Sequence, residues 1–79
     1  MQKRSLTIQG HRTSISLEEP FWMALNDIAK ARQQSVASLV QMIDKKRVGG
    51  LSSSIRVFIL AELRHQLAAS TTTKTNQIF

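Results

Sequence analysis

The sequence has no cysteine, which excludes disulfides and thiolate-bound metals and fits a reducing compartment. Its two histidines, His11 and His65, stand too far apart in the chain for a metal-ligand pair, so no metal or other cofactor is expected. No nucleophile–base set and no glycine-rich phosphate loop is present, and the neighbouring carboxylates Glu18 and Glu19 read as helix-entry residues rather than a catalytic couple. An enzyme is therefore not expected. The longest apolar run, Val57 to Ala61, falls far short of the roughly 20 residues that a membrane-spanning helix needs. After Met1-Gln2-Lys3-Arg4 come Ser5, Thr7, Gln9, Gly10, His11 and Arg12, where a secretion signal would place its apolar stretch, so the expected location is the cytoplasm. Acidic residues are also missing from the whole segment before Glu18.

What is present is a basic chain of 79 residues with 11 lysines and arginines against five acids, a net charge of +6. A surplus of that size on a small body favours a polyanionic partner through long-range attraction and counterion release, and nucleic acid is the leading candidate. The length allows one domain. A monomer this short buries only about 60% of its unfolded surface, so self-association is the expected way to complete a core that no disulfide or metal braces.

Residues 3 to 17 carry strand chemistry. Leu6 and Ile8 alternate with Ser5 and Thr7, and Ile15 and Leu17 alternate with Ser14 and Ser16, but the apolar phase shifts from even to odd positions across Gly10. A hairpin turning at Gln9-Gly10 resolves the shift by pairing Ile8 with His11 and Leu6 with Thr13. It sets Leu6, Ile8, Thr13, Ile15 and Leu17 on one face and Lys3, Ser5, Thr7, Arg12, Ser14 and Ser16 on the other. A bulge at Gly10 within one long strand also restores the phase, though the hairpin is the favoured reading.

Helix signals follow without a loop. Ser16 and Glu19 have capping-box spacing, Pro20 suits a first turn, and Phe21, Leu25 and Ile28 recur at helical spacing with Trp22 and Ala29 beside them, which predicts a helix from about Glu19 to Gln33. Ser35 is a good cap for a second helix with the apolar stripe Val36, Leu39, Val40 and Ile43, closed by Lys45-Lys46-Arg47 and broken at Gly49-Gly50. Ser52 or Ser53 can cap a third, whose apolar residues Ile55, Val57, Phe58, Ile59, Leu60, Leu63 and Leu67 cover more than one side and call for neighbours on two flanks. These elements make a domain over residues 1 to 69. From Ser70 the chain is polar, and residues 70 to 79 are expected to be a disordered tail, with Ile78-Phe79 as its end.

The run Arg12-Thr13-Ser14-Ile15-Ser16-Leu17, the helix bearing Phe21, Trp22, Leu25 and Ile28, and Ser35 opening the next helix together resemble the ribbon-helix-helix family over about residues 11 to 46. The longer stretch from Lys3-Arg4-Ser5 to Leu51-Ser52-Ser53 is similar to a subgroup of short bacterial members with a third helix. The resemblance implies a mainly α fold with an N-terminal β-ribbon, in which two subunits intertwine and their strands form an antiparallel ribbon that enters the major groove. By position the base-facing residues are Arg12, Ser14 and Ser16. The phosphate contacts are the second-helix corner around Ser35, Val36 and Ser38, with Lys3 and Arg4 upstream, and the dimer core is Ile15, Leu17, Trp22, Leu25, Leu39, Ile43 and Phe58. The side-chain chemistry agrees, since arginine pairs bidentately with guanine and serine hydroxyls donate or accept.

Two features depart from the family pattern. Gln34 stands where a glycine commonly turns the chain between helices, and Ser52-Ser53-Ser54-Ile55-Arg56 itself resembles the usual opening of a second helix, which makes Ser53 a rival phosphate anchor. The expected function is a homodimeric transcriptional regulator of double-stranded DNA. The alternatives are an antitoxin carrying a toxin-binding segment, and a protein-interaction or membrane-surface module whose working surface is the third helix.

Overall fold

A computed structural model describes the backbone of residues 1–74 and the side chains of residues 1–69. The element order is β1 (Gln2–Ile8), β2 (His11–Leu17), α1 (Glu19–Ala31), α2 (Val36–Lys46) and α3 (Leu51–Lys74). The strands form an antiparallel hairpin in which Ile8 faces His11, Leu6 faces Thr13 and Arg4 faces Ile15. This decides between hairpin and bulge. Gln9 and Gly10 both have positive φ, +52° and +80°, the backbone of the tight two-residue turn whose twist matches that of the strands.

The register puts Ile8, Ile15 and Leu17 on the side that faces the helices, where all three are buried. They meet Trp22, Leu25, Ile28 and Ala29 of α1, Leu39, Val40 and Ile43 of α2, and Ile55 and Ile59 of α3 in a single core. Each fully covered aliphatic side chain contributes about 1.5–3 kcal/mol to folding. Trp22 is covered as well, and its indole N–H donates to the Gln2 carbonyl at 2.9 Å, which satisfies its one polar atom and fastens the start of β1 to α1.

The helix ends differ in part from the sequence expectations. Glu18, not Ser16, is the N-cap of α1, because Ser16 remains in the ladder opposite Lys3; Glu18 makes no side-chain capping bond, its carboxylate accepting from Arg56 instead. Ser35 caps α2 as expected, accepting from the Ser38 N–H at 3.0 Å. At α3 neither Ser52 nor Ser53 is the cap: the first helical bond runs from the Ser54 N–H to the Gly50 carbonyl, and the Ser52 hydroxyl donates instead to the Ser16 carbonyl at 3.3 Å. The third helix also continues to Lys74, past the point where the polar tail was expected to begin, since extending an existing helix requires no new nucleus. The remainder of that tail, with Ile78-Phe79, lies outside the described residues.

The first helix ends two residues earlier than expected, and its end explains the missing glycine. The Gln33 N–H bonds the Lys30 carbonyl and the Gln34 N–H bonds the Ala29 carbonyl, each at 3.0 Å, the paired closure that places the residue between them in the left-handed region. That residue is Gln33, at φ +57°, rather than Gln34. A side chain there costs about 1–2 kcal/mol relative to glycine. Gln33→Gly is therefore expected to raise the unfolding free energy by about 1 kcal/mol, less a few tenths for the added freedom of the unfolded chain. Urea denaturation checks this, and an unchanged or lower midpoint would contradict the assigned strain.

Candidate nucleic-acid interface

The face of the hairpin turned away from the helices is made by three cross-strand pairs: Lys3 with Ser16, Ser5 with Ser14, and Thr7 with Arg12. Five of the six side chains are exposed and Ser16 is half-buried. The face contains two cations at diagonal corners, four hydroxyls and no carboxylate. Every one of these side chains can donate a hydrogen bond, and only the hydroxyls can also accept. Such a surface suits an anion-rich partner with mixed donors and acceptors.

The acidic residues lie elsewhere and are largely committed. Glu18 pairs with Arg56 at 3.0 Å, Glu62 with Arg32 at 3.0 Å, and Asp44 with Arg47, all on the helical side of the molecule. The hydrogen bond from Arg56 holds the Glu18 carboxyl below its ordinary pKa, helped by a backbone hydrogen bond. Because the partners are half-exposed, solvent screens this bridge between the start of α1 and the second turn of α3, and its contribution to stability is small.

Arg12 and Ser14 are thus exposed on the outer face together with Lys3, and Ser5 and Thr7 complete it. The strand register already implied those two, but they lie in β1, outside residues 11 to 46, on which the base-facing assignment rests. Arg4 is on the opposite side of the ribbon from Lys3, with its guanidinium 4.8 Å from the Trp22 ring centroid. Trp22 itself is 1% exposed, so it belongs to the core of a single chain and offers no stacking surface. The same holds for Ile15, Leu17, Leu25, Leu39 and Ile43, all buried without a partner subunit, whereas Phe58 is half-buried beneath Arg32.

At the second-helix corner Ser35 is exposed and its hydroxyl occupies the Ser38 N–H, leaving the first-turn N–H groups of Val36 and Ala37 as those without an intrahelical acceptor. The α3 entry presents the corresponding groups of Leu51, Ser52 and Ser53. That entry is held against the end of β2 through Ser52 and Ser16. Hairpin and α2 are joined at the other end, where the Gln9 N–H points to the Gln41 side-chain carbonyl at 3.4 Å.

A family model described as a ribbon-helix-helix domain matches residues 1–63. The chain belongs to the ribbon-helix-helix family. The match includes both strands, the first two helices and the first half of α3, so the third helix is part of the matched unit. Neither a curated protein nor a solved structure matches the chain. The family is a non-enzymatic, DNA-binding one of regulator type whose members generally act as dimers. Among the described residues no helix is long and apolar enough to cross a membrane.

The Glu18–Arg56 bridge gives a pH signature. A carboxyl whose pKa is lowered by folding adds stability that is present at neutral pH and is lost as the pH falls through the lowered value. Thermal unfolding of Glu18→Gln should show a lower midpoint than the parent at pH 7, with the gap closing below the ordinary carboxylate range. A gap that persists in acid would assign the effect to something other than this ion pair.

Proposed function

We propose that the protein is a homodimeric, sequence-selective regulator of double-stranded DNA, acting in the cytoplasm, that reads the major groove with the polar face of β2. The observation that carries this reading is the hairpin register, which collects Lys3, Ser5, Thr7, Arg12, Ser14 and Ser16 on one carboxylate-free face.

The route to the dimer follows from ladder geometry. With Ile8 and His11 closing the turn, the alternation of an antiparallel pair aims the peptide groups of Thr13, Ile15 and Leu17 at β1 and those of Arg12, Ser14 and Ser16 outward. The outward edge of β2 is therefore a template for the same edge of a second copy, and pairing gives a four-stranded sheet in the order β1, β2, β2, β1. At about 4.8 Å between strands, the outermost pair lies about 14 Å apart. The major groove is about 12 Å wide and admits a two-stranded ribbon. The central β2 pair enters it, with Arg12, Ser14 and Ser16 on base edges, while the β1 strands ride at the rims with Lys3 against phosphates. The Ser35, Val36 and Ser38 corner supplies a further phosphate contact through the helix N-terminus, and the α3 entry near Ser53 is its rival.

Strand pairing alone does not hold such a dimer. A few edge hydrogen bonds contribute about 0.5–1.5 kcal/mol each, against an association cost of about 4–15 kcal/mol. That leaves nothing near the roughly 8 kcal/mol of net binding that micromolar dimerisation requires.

Two substitutions separate reading from anchoring. Arg12→Ala is expected to lose about 1–3 kcal/mol of discrimination between selected and scrambled duplexes. Lys3→Ala should weaken binding to both alike and reduce the slope of log affinity against log salt by about 1.8 per dimer. Fluorescence anisotropy across a salt series, on duplexes selected from a random pool, measures both. Binding insensitive to salt would favour the protein-interaction reading, and an Arg12→Ala variant with full discrimination would remove the ribbon from the groove.

A further inference from the structure

The bend between α2 and α3 builds a concavity that the hairpin face does not use. The second helix stops at Lys46, Gly49 takes φ +90°, and the third helix starts at Leu51. Arg47 braces this bend, its Nε donating to the Asp44 carboxylate and an Nη to the Gly49 carbonyl. Val48, inside the braced segment, stands 94% exposed at the mouth instead of closing over the core. The result is a groove of about 420 Å³ between the end of α2 and the start of α3. Small-molecule sites are found at volumes of about 300–1,000 Å³.

Its depth is apolar and its rim is cationic. Ile43 is buried, Met42 and Phe58 are half-buried, and Val57 forms an exposed lip. The polar lining consists of Lys46, Arg47, Ser53 and Ser54. The charge of Arg47 is already matched by Asp44, whereas Lys46 is exposed and has no ion pair among the described residues. The side-chain hydroxyls of Ser53 and Ser54 likewise have no hydrogen-bond partner among those residues. None of the lining residues is acidic.

This combination selects an occupant by charge and polarity. In such sites an apolar floor supplies the contact and a few polar groups fix the orientation. A neutral apolar molecule would fill the floor and leave Lys46 idle, and an organic cation would meet Lys45, Lys46 and Arg47 in succession. A nucleic-acid strand would bring charge along its whole length to a floor with no partner for it. An anion with one charged end and an apolar remainder uses every part of the groove. We propose that the groove is a binding site for a small amphiphilic monoanion, an alkyl or aryl chain ending in a carboxylate. Its chain lies against Met42, Val57 and Phe58, and its head is held by the Lys46 ammonium and the Ser53 and Ser54 hydroxyls. The site is separate from the polar face of the hairpin and does not rest on the DNA-binding reading.

The methionines provide the test, because the chain has three and only Met42 lines the groove. Octanoate is titrated into the full chain with isotope-labelled methionine methyl groups, below the concentration at which octanoate self-associates, and the methyl resonances are followed by NMR. The Met42 signal should move and saturate, while those of Met1 and Met23, exposed elsewhere, should stay in place and so exclude general adsorption. Binding of 1-octanol should be about fivefold weaker than that of octanoate, and octyltrimethylammonium should not saturate. Lys46→Gln should bring octanoate down to the level of 1-octanol and leave 1-octanol unchanged. Val57→Glu, at a side chain 66% exposed, should keep the helices by far-UV circular dichroism and abolish saturable octanoate binding. If that variant unfolds, the Lys46→Gln comparison decides alone. A Met42 signal that ignores octanoate overturns the proposal, as do three methyl signals that drift together without saturating, or a Lys46→Gln variant that binds octanoate as the parent does. A Met42 signal that moves with protein concentration and not with octanoate overturns it as well, by assigning the groove to another copy of the chain.

Discussion

The turn at Gln9-Gly10 is the constraint on which the rest is built. Two consecutive residues of positive φ fold the N-terminal segment back with no slack, so the even-numbered aliphatic residues of β1 and the odd-numbered ones of β2 fall on the same side. A slip by one residue would send Ile8 or Ile15 into water and Lys3 or Arg12 into the core. The same turn therefore builds the hydrophobic layer under the helices and the hydroxyl-rich layer over it.

From that sheet the helices inherit their positions. Leu17, the last residue of β2, is fully buried, and α1 starts one residue beyond the Glu18 cap, so the first helix has little freedom to swing. Two arginines then tie α3 to the earlier elements, and a third ties β1 to α1. Arg32 reaches Glu62 and lies 5.3 Å from the Phe58 ring centroid, Arg56 reaches Glu18 and lies 5.7 Å from that of Phe21, and Arg4 covers Trp22 from the ribbon side. Each guanidinium covers an aromatic ring that aliphatic residues leave partly open. With four aromatic residues in the chain, three are closed over in this manner.

Much of this was legible in the residue pattern, and the misses have local causes. The shift in apolar phase at Gly10 pointed to the hairpin and its register, and the stripe Leu39, Val40 and Ile43 with Ser35 ahead of it gave the second helix. Capping serines were less informative, because a hydroxyl serves several carbonyls and N–H groups: Ser16 stays in the ladder and Ser52 bonds back to it. The outer face was readable as a set, but Arg4 could not be assigned from charge alone, since a cation on the core side of a strand is acceptable only where a ring such as Trp22 lies under it. Burial of Ile15, Leu25 or Leu39 followed from pattern. Whether one chain or two would supply the cover did not, because periodicity specifies that a face is hidden and not by whom.

The lone tryptophan has a consequence for watching this molecule at work. Trp22 is enclosed, its N–H is engaged by the Gln2 carbonyl, and a guanidinium lies over its ring, so its emission reports the seating of the first strand on the first helix. It faces away from the surface a duplex would touch. Ultraviolet-excited light from the unlabelled protein is thus a gauge of whether the hairpin is docked, and a spectral change on adding a ligand would signal that the ribbon had lifted rather than that its outer side had been touched.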